Sequence, residues 1–192
     1  MANIGVLGGS FDPVHNVHLE IASQSINEFK LDFVIFVPAY LPPHKNKLEV
    51  SDKHRYKMLL LALENRKDFI IDDFEINTGS VVYTYITLDY LQKKYPNDTV
   101  KLIIGSDSFN QLDTWKKPDY IAQKYGFIVI KRPNIDIDKK SIYYEYANIS
   151  YLTAQDTSST MIRNMFKKNQ DVKNKLPGKV LEYIKEYDLY KK

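Results

Sequence analysis

The chain contains no cysteine, which excludes disulfides, thiolate metal sites and cysteine nucleophiles. It has no apolar run long enough to span a bilayer, and no basic segment leading into a signal-type apolar stretch. Charge of one sign is also scarce: 27 Lys and Arg stand against 24 Asp and Glu, a formal net charge of +3. The densest basic groups, Lys139-Lys140 and Lys191-Lys192, are short. A concentrated basic footprint, which nucleic-acid binders usually carry, is missing. There is no internal repeat, no low-complexity tract and no linker-like composition shift. The expectation is a soluble, cytoplasmic protein with no nucleic-acid or membrane partner. Its 192 residues suit a single domain over 1–192.

What is present is a regular alternation. Strand-length apolar runs occur at Ile4–Leu7, Phe33–Val37, Phe69–Phe74, Val100–Ile104, Phe127–Ile130 and Asn148–Leu152. Segments of helical period lie between them. Leu19, Ala22, Ile26 and Phe29 recur at helical spacing, Ser51-Asp52 caps a second helix, and a third runs from Thr84 to Lys94. The last 35 or so residues read as helical, and 134–140 and 169–175 as polar loops. This alternation predicts an α/β, doubly wound, mostly parallel sheet, which binds ligands beyond the C-terminal ends of its strands.

The first strand runs into Gly8-Gly9-Ser10-Phe11-Asp12-Pro13-Val14-His15-Asn16-Val17-His18. The glycines permit a tight turn and close backbone approach to a ligand. Asp12 and Pro13 suit a helix start, and His15 and His18 then share one face of its first turn. A strand, a glycine turn and a helix N-terminus form an anion site. The segment lacks both the Gly-Lys-Ser/Thr of a P-loop and the dinucleotide glycine spacing. A zinc site is disfavoured, because no third ligand lies nearby at useful spacing. Near the other end, Asp156-Thr157-Ser158-Ser159-Thr160-Met161-Ile162-Arg163 precedes a helix. One hydroxyl suffices for capping. Three, with an Arg one turn on, suit a polyphosphate.

The N-terminal run resembles the GxFxPxHxxH signature of the HxGH-type nucleotidyltransferase superfamily, with Val17 where the second His is usually preceded by Gly. The C-terminal run resembles the ISSTxIR motif of nicotinate and nicotinamide mononucleotide adenylyltransferases, with Thr157 for the Ile. Gly79 to Leu88 resembles their SYTxDT segment, with Val82 for Ser and Ile86 for Asp. Gly105-Ser106-Asp107 resembles their GxD segment, and Trp115 and Arg132 match their tryptophan and basic residue. The resemblance covers most of the chain and is closest to the bacterial nicotinate mononucleotide enzymes. It implies a Rossmann-like nucleotidyltransferase fold and transfer of AMP from ATP to nicotinate mononucleotide, giving deamido-NAD and pyrophosphate.

Carried over residue by residue, His15 and His18 are catalytic. Gly8, Gly9, Ser10, Phe11, His15, His18, Gly105, Asp107, Ser158, Ser159, Thr160 and Arg163 bind ATP. Lys45, Tyr83, Thr84, Trp115 and Arg132 bind the mononucleotide. Mg²⁺ is expected to arrive on the ATP phosphates. The rival readings are a nicotinamide mononucleotide enzyme, a pantetheine-phosphate adenylyltransferase, and a nucleotide-binding regulator without catalysis. Both a monomer and a homodimer remain open.

Overall fold

The computed structural model describes residues 1–43, 47–153 and 156–191. Its centre is a sheet of six strands: β1 (Asn3–Gly9), β2 (Phe33–Pro38), β3 (Phe69–Ile71), β4 (Thr99–Gly105), β5 (Phe127–Lys131) and β6 (Ala147–Thr153). The spatial order is β3-β2-β1-β4-β5-β6, and every neighbouring pair runs parallel. The order reverses between β1 and β4, which makes that pair the topological switch point. This is the doubly wound sheet that the alternation predicts.

The helices are α1 (Asn16–Phe29), α2 (Asp52–Leu63), α3 (Phe74–Thr78), α4 (Thr84–Lys94), α5 (Ser106–Phe109), α6 (Pro118–Tyr125), α7 (Ser159–Lys167) and α8 (Gly178–Glu186). Strand residues alternate between two cores, as a period of two requires. Val34, Phe36, Ile103, Ile128 and Ile130 pack with Val17 and Ile21 of α1, Met58 and Leu59 of α2, Ile162 of α7 and Ile184 of α8. Ile35, Val37, Leu102, Ile104 and Val129 face the other way, onto Leu88 and Leu91 of α4 and Ile121 of α6. Truncating such a buried Leu to Ala typically costs about 2–5 kcal/mol.

Three details differ from the sequence reading. The third strand ends at Ile71, because Asp72 turns the chain and its Oδ1 accepts from the Phe74 N–H (3.0 Å) to start α3. The first helix begins at Asn16 rather than at Asp12-Pro13, which lie in the turn before it. The short helices α3, α5 and α6 carry too few apolar repeats to register as periodic. The cap of α2 and the span of α4 fall where the residues predict them. Ser51 Oγ accepts from the His54 N–H, and α4 spans Thr84–Lys94.

Candidate active site

β1 and β4 end at Gly9 and Gly105 on the same edge of the sheet. The turn after β1 is clamped from several sides. Phe11 adopts the left-handed backbone region (φ +46°), a strain of about 1–2 kcal/mol for a non-glycine residue. Its ring is buried beside Gly9, where an added Cβ would sit 3.2 Å from it, so only glycine fits without displacement. Three carbonyls of the turn are held by side-chain donors. Arg55 Nη1 donates to Ser10 O (2.7 Å), Arg163 Nη1 to Asp12 O (2.7 Å) and Ser159 Oγ to Pro13 O (2.9 Å). The Asp12 carboxylate is 1% exposed. It accepts from Tyr190 Oη (2.7 Å) and from the Glu49 N–H (2.9 Å). Asp12 is therefore turned inward as a junction, not outward at a helix start.

The two histidines lie together. His15 is the N-cap of α1 with extended backbone, and His18 is three residues on. Their rings stack with centroids 3.7 Å apart, and the Phe11 ring meets His18 edge-on at 5.0 Å. The His15 backbone N–H donates to His18 Nδ1 (3.2 Å). A neutral His18 must then carry its proton on Nε2. Burial, reinforced by the charges of Arg132 and Lys175, lowers the His15 pKa to about 3. Burial, then His15 and Arg132, also hold His18 well below the usual imidazole range. Both rings are neutral at pH 7, in a cationic setting that suits a polyanion. His15 Nδ1 is buried and has no hydrogen-bond partner among the described residues.

The C-terminal motif reaches this turn from above. Ser158 caps α7, its Oγ accepting from the Met161 N–H (3.1 Å). Arg163 Nη2 donates to Thr160 Oγ1 (3.2 Å) while Nη1 holds Asp12. The hydroxyl run thus caps its helix and also fastens it to the histidine turn. Beside them lies a cavity of about 280 Å³ lined by Asn16, Val17, Thr157, Asp171, Asn174 and Lys175. Val17, which replaces the usual glycine, is buried there. Lys175 accepts from the Asn16 N–H through its carbonyl (3.0 Å) and donates from Nζ to Thr157 Oγ1 (3.4 Å).

Across the switch point, the Asp107 and Arg132 side chains fold closely over Gly105. A Cβ there would overlap Asp107 Oδ1 and lie 2.8 Å from Arg132 Nε. Asp107 and Arg132 form an ion pair at 3.6 Å, joining the ends of β4 and β5. Ser106 Oγ accepts from the Arg132 N–H (3.0 Å) and steadies the same junction. Tyr83 is the exposed N-cap residue of α4, and Thr84 is its first helical residue. Lys117 lies over the Tyr85 ring (4.4 Å), which ties the loop after Trp115 to the first turn of α4. Trp115 is half-buried against the second core. Thr87 Oγ1 donates to Glu75 Oε1 (2.6 Å) beneath that turn, and burial raises the Glu75 pKa. Lys45 lies outside the described residues.

Arg55, Tyr190, Lys175 and Glu75 are site or supporting residues that sequence reasoning misses. Their partners are distant in sequence, so no local spacing marks them. Arg55 is the exception in part, because a lone Arg amid the apolar positions of a helix is a visible anomaly. Among the described residues, no three His, Asp or Glu side chains converge to hold a metal ion.

A sequence profile of the cytidylyltransferase-like family matches residues 6–165. The chain is 37% identical, over the full length of both chains, to the probable nicotinate-nucleotide adenylyltransferase of Clostridium tetani. It is 39% identical over full length to the protein of that name from Clostridium botulinum strain Kyoto. Its fold matches the Plasmodium falciparum nicotinic acid mononucleotide adenylyltransferase complexed with NaAD, with a TM-score of 0.83 at 22% identity over 99% of this chain and 98% of that one. The parallel sheet, its switch-point histidine turn and these full-length identities agree: the chain belongs to the nicotinate-nucleotide adenylyltransferases, ATP-dependent enzymes of the cytidylyltransferase-like family.

Proposed function

We propose that this chain transfers AMP from ATP to nicotinate mononucleotide, releasing pyrophosphate and forming deamido-NAD. One observation carries the site assignment. The histidine turn and the start of α7 are fastened together through Arg163 and Asp12, at the sheet's switch point. The 5′-phosphate of the mononucleotide attacks the α-phosphorus of ATP, in line with departing pyrophosphate. A phosphate is already nucleophilic at neutral pH, so the protein need not supply a base. Its contribution is positioning and charge stabilisation.

Neutral His18 donates from Nε2 to the α-phosphate as negative charge develops there, with His15 stacked behind it. Backbone at Gly8 and Gly9 lets the nucleotide approach closely, flanked by Ser10 and Phe11. Ser158, Ser159, Thr160 and Arg163 receive the β- and γ-phosphates. Asp107 and Gly105 receive the nucleoside. Tyr83, Thr84, Trp115, Arg132 and Lys45 hold the mononucleotide. A Mg²⁺ ion carried on the triphosphate oxygens would supply partial neutralisation of their charge. The deciding assay supplies ATP, Mg²⁺ and either nicotinate or nicotinamide mononucleotide and follows pyrophosphate release. Release with the nicotinate form is expected, and none with either form would refute the reading.

A further inference from the structure

After α8 the chain doubles back. The Leu189 N–H donates to Ile184 O (3.0 Å), and Asp188 and Tyr190 take left-handed backbone, with φ of +51° and +66°. Such a conformation costs a non-glycine residue about 1–2 kcal/mol, so something holds it. Leu189 and Tyr190 are both buried, and the Tyr190 ring leans on Phe166 of α7 (6.0 Å). Ring packing alone would be served by phenylalanine. The hydroxyl does something else: it donates to Asp12 Oδ1 at 2.7 Å, in a contact spanning 178 residues of sequence.

With the Glu49 N–H on the other oxygen, the Asp12 carboxylate is fixed against rotation. The Asp12 backbone is in turn gripped by Arg163, and Arg55 holds Ser10 two residues earlier. His15 follows only three residues after Asp12. Removing the hydroxyl leaves a buried carboxylate oxygen without its donor, which is costly enough to move the turn. A shift of about 1 Å in such a turn is large on the scale of catalytic geometry.

We propose that Tyr190 is a positioning residue for adenylyl transfer, holding the histidine turn in register through the Asp12 carboxylate. The proposal rests on the adenylyl-transfer reading above. Tyr190→Phe keeps the ring and removes the hydroxyl. Its turnover should fall about tenfold, while the KM values for ATP and nicotinate mononucleotide stay within roughly threefold. Hydrogen exchange should quicken at residues 10–18 and stay unchanged through α8. In an Asp12→Ala background the same substitution should cost less than about twofold more, because the acceptor of the Tyr190 hydroxyl is already gone.

Turnover within about twofold of the parent would overturn the proposal. So would additive losses in the double variant, or faster exchange spreading through α8. Failure of the unsubstituted protein to release pyrophosphate would instead refute the adenylyl-transfer reading. The exchange pattern would then decide by itself whether Tyr190 holds the turn.

Discussion

At the residue scale, the His15 backbone N–H fixes which nitrogen of His18 can donate. His18→Ala should therefore cost turnover rather than binding. A loss of about 10²-fold or more in kcat is expected, the scale of one oxyanion-type donor. Near-parental turnover would remove His18 from the mechanism. The same burial has a cost in stability. His15 titrates at about 3 in the folded protein against the ordinary 6.5, because burial disfavours its charged form. Below pH 6.5 the unfolded chain binds a proton that the folded one does not, so stability falls as pH drops towards 3. Above 6.5 there is no such penalty. The unfolding free energy should drop by about 2 kcal/mol from pH 7 to pH 5 through His15. His18 acts in the same direction. Urea titrations at the two pH values measure this, and His15→Gln should flatten the difference. The pair itself is legible in the sequence, as a spacing of three after a glycine turn. The role of Tyr190 is not, since an inward hydrogen bond to a carboxylate 178 residues away leaves no local pattern.

At the scale of elements, α7 carries two duties. Its start offers hydroxyls and Arg163 for phosphate, and the same side chains already brace the histidine turn. Arg163→Ala should raise the KM for ATP more than that for the mononucleotide, and should also lower kcat. The combined loss in kcat/KM for ATP should be about 10–100-fold, the scale of a charge-assisted hydrogen bond. Arg163→Lys should recover little, because a single ammonium cannot bridge Asp12 O and Thr160 Oγ1 as the guanidinium does. An effect confined to the mononucleotide would contradict the assignment. Element boundaries follow from the residues where caps are local, as at Ser51. They slip where a side chain intervenes. Asp72 ends β3 early, and the inward turn of Asp12 delays α1 to Asn16.

At the scale of the molecule, the sheet order places the histidine turn on β1 and the Asp107–Arg132 pair on β4 and β5, on either side of one switch point. The strands' alternating apolar faces make this architecture legible from the chain alone. What one dimension hides is which loops meet across the crevice. Trp115 stands on the β4–β5 side, near the first turn of α4. If its ring stacks on the pyridine, Trp115→Ala should weaken nicotinate mononucleotide binding by about 1–2 kcal/mol, and Trp115→Phe should recover part. Fluorescence of this single tryptophan should change on adding the mononucleotide. The nicotinate form should be used with higher catalytic efficiency than the nicotinamide form, because donors set for a carboxylate are left unpaired by an amide. Unchanged kinetics with a lowered melting temperature would return Trp115 to a packing role.

The contact between Tyr190 and Asp12 also bears on when this protein becomes active during its synthesis. Asp12 leaves the ribosome early, and its partner is made 178 residues later. At roughly 5–20 residues per second, that gap lasts roughly 10–35 s. Through that interval a nascent chain can form β1 and α1 but cannot complete the clamp on its histidine turn. A polypeptide that stops short of Tyr190 should therefore carry at least the roughly tenfold deficit in turnover expected of Tyr190→Phe.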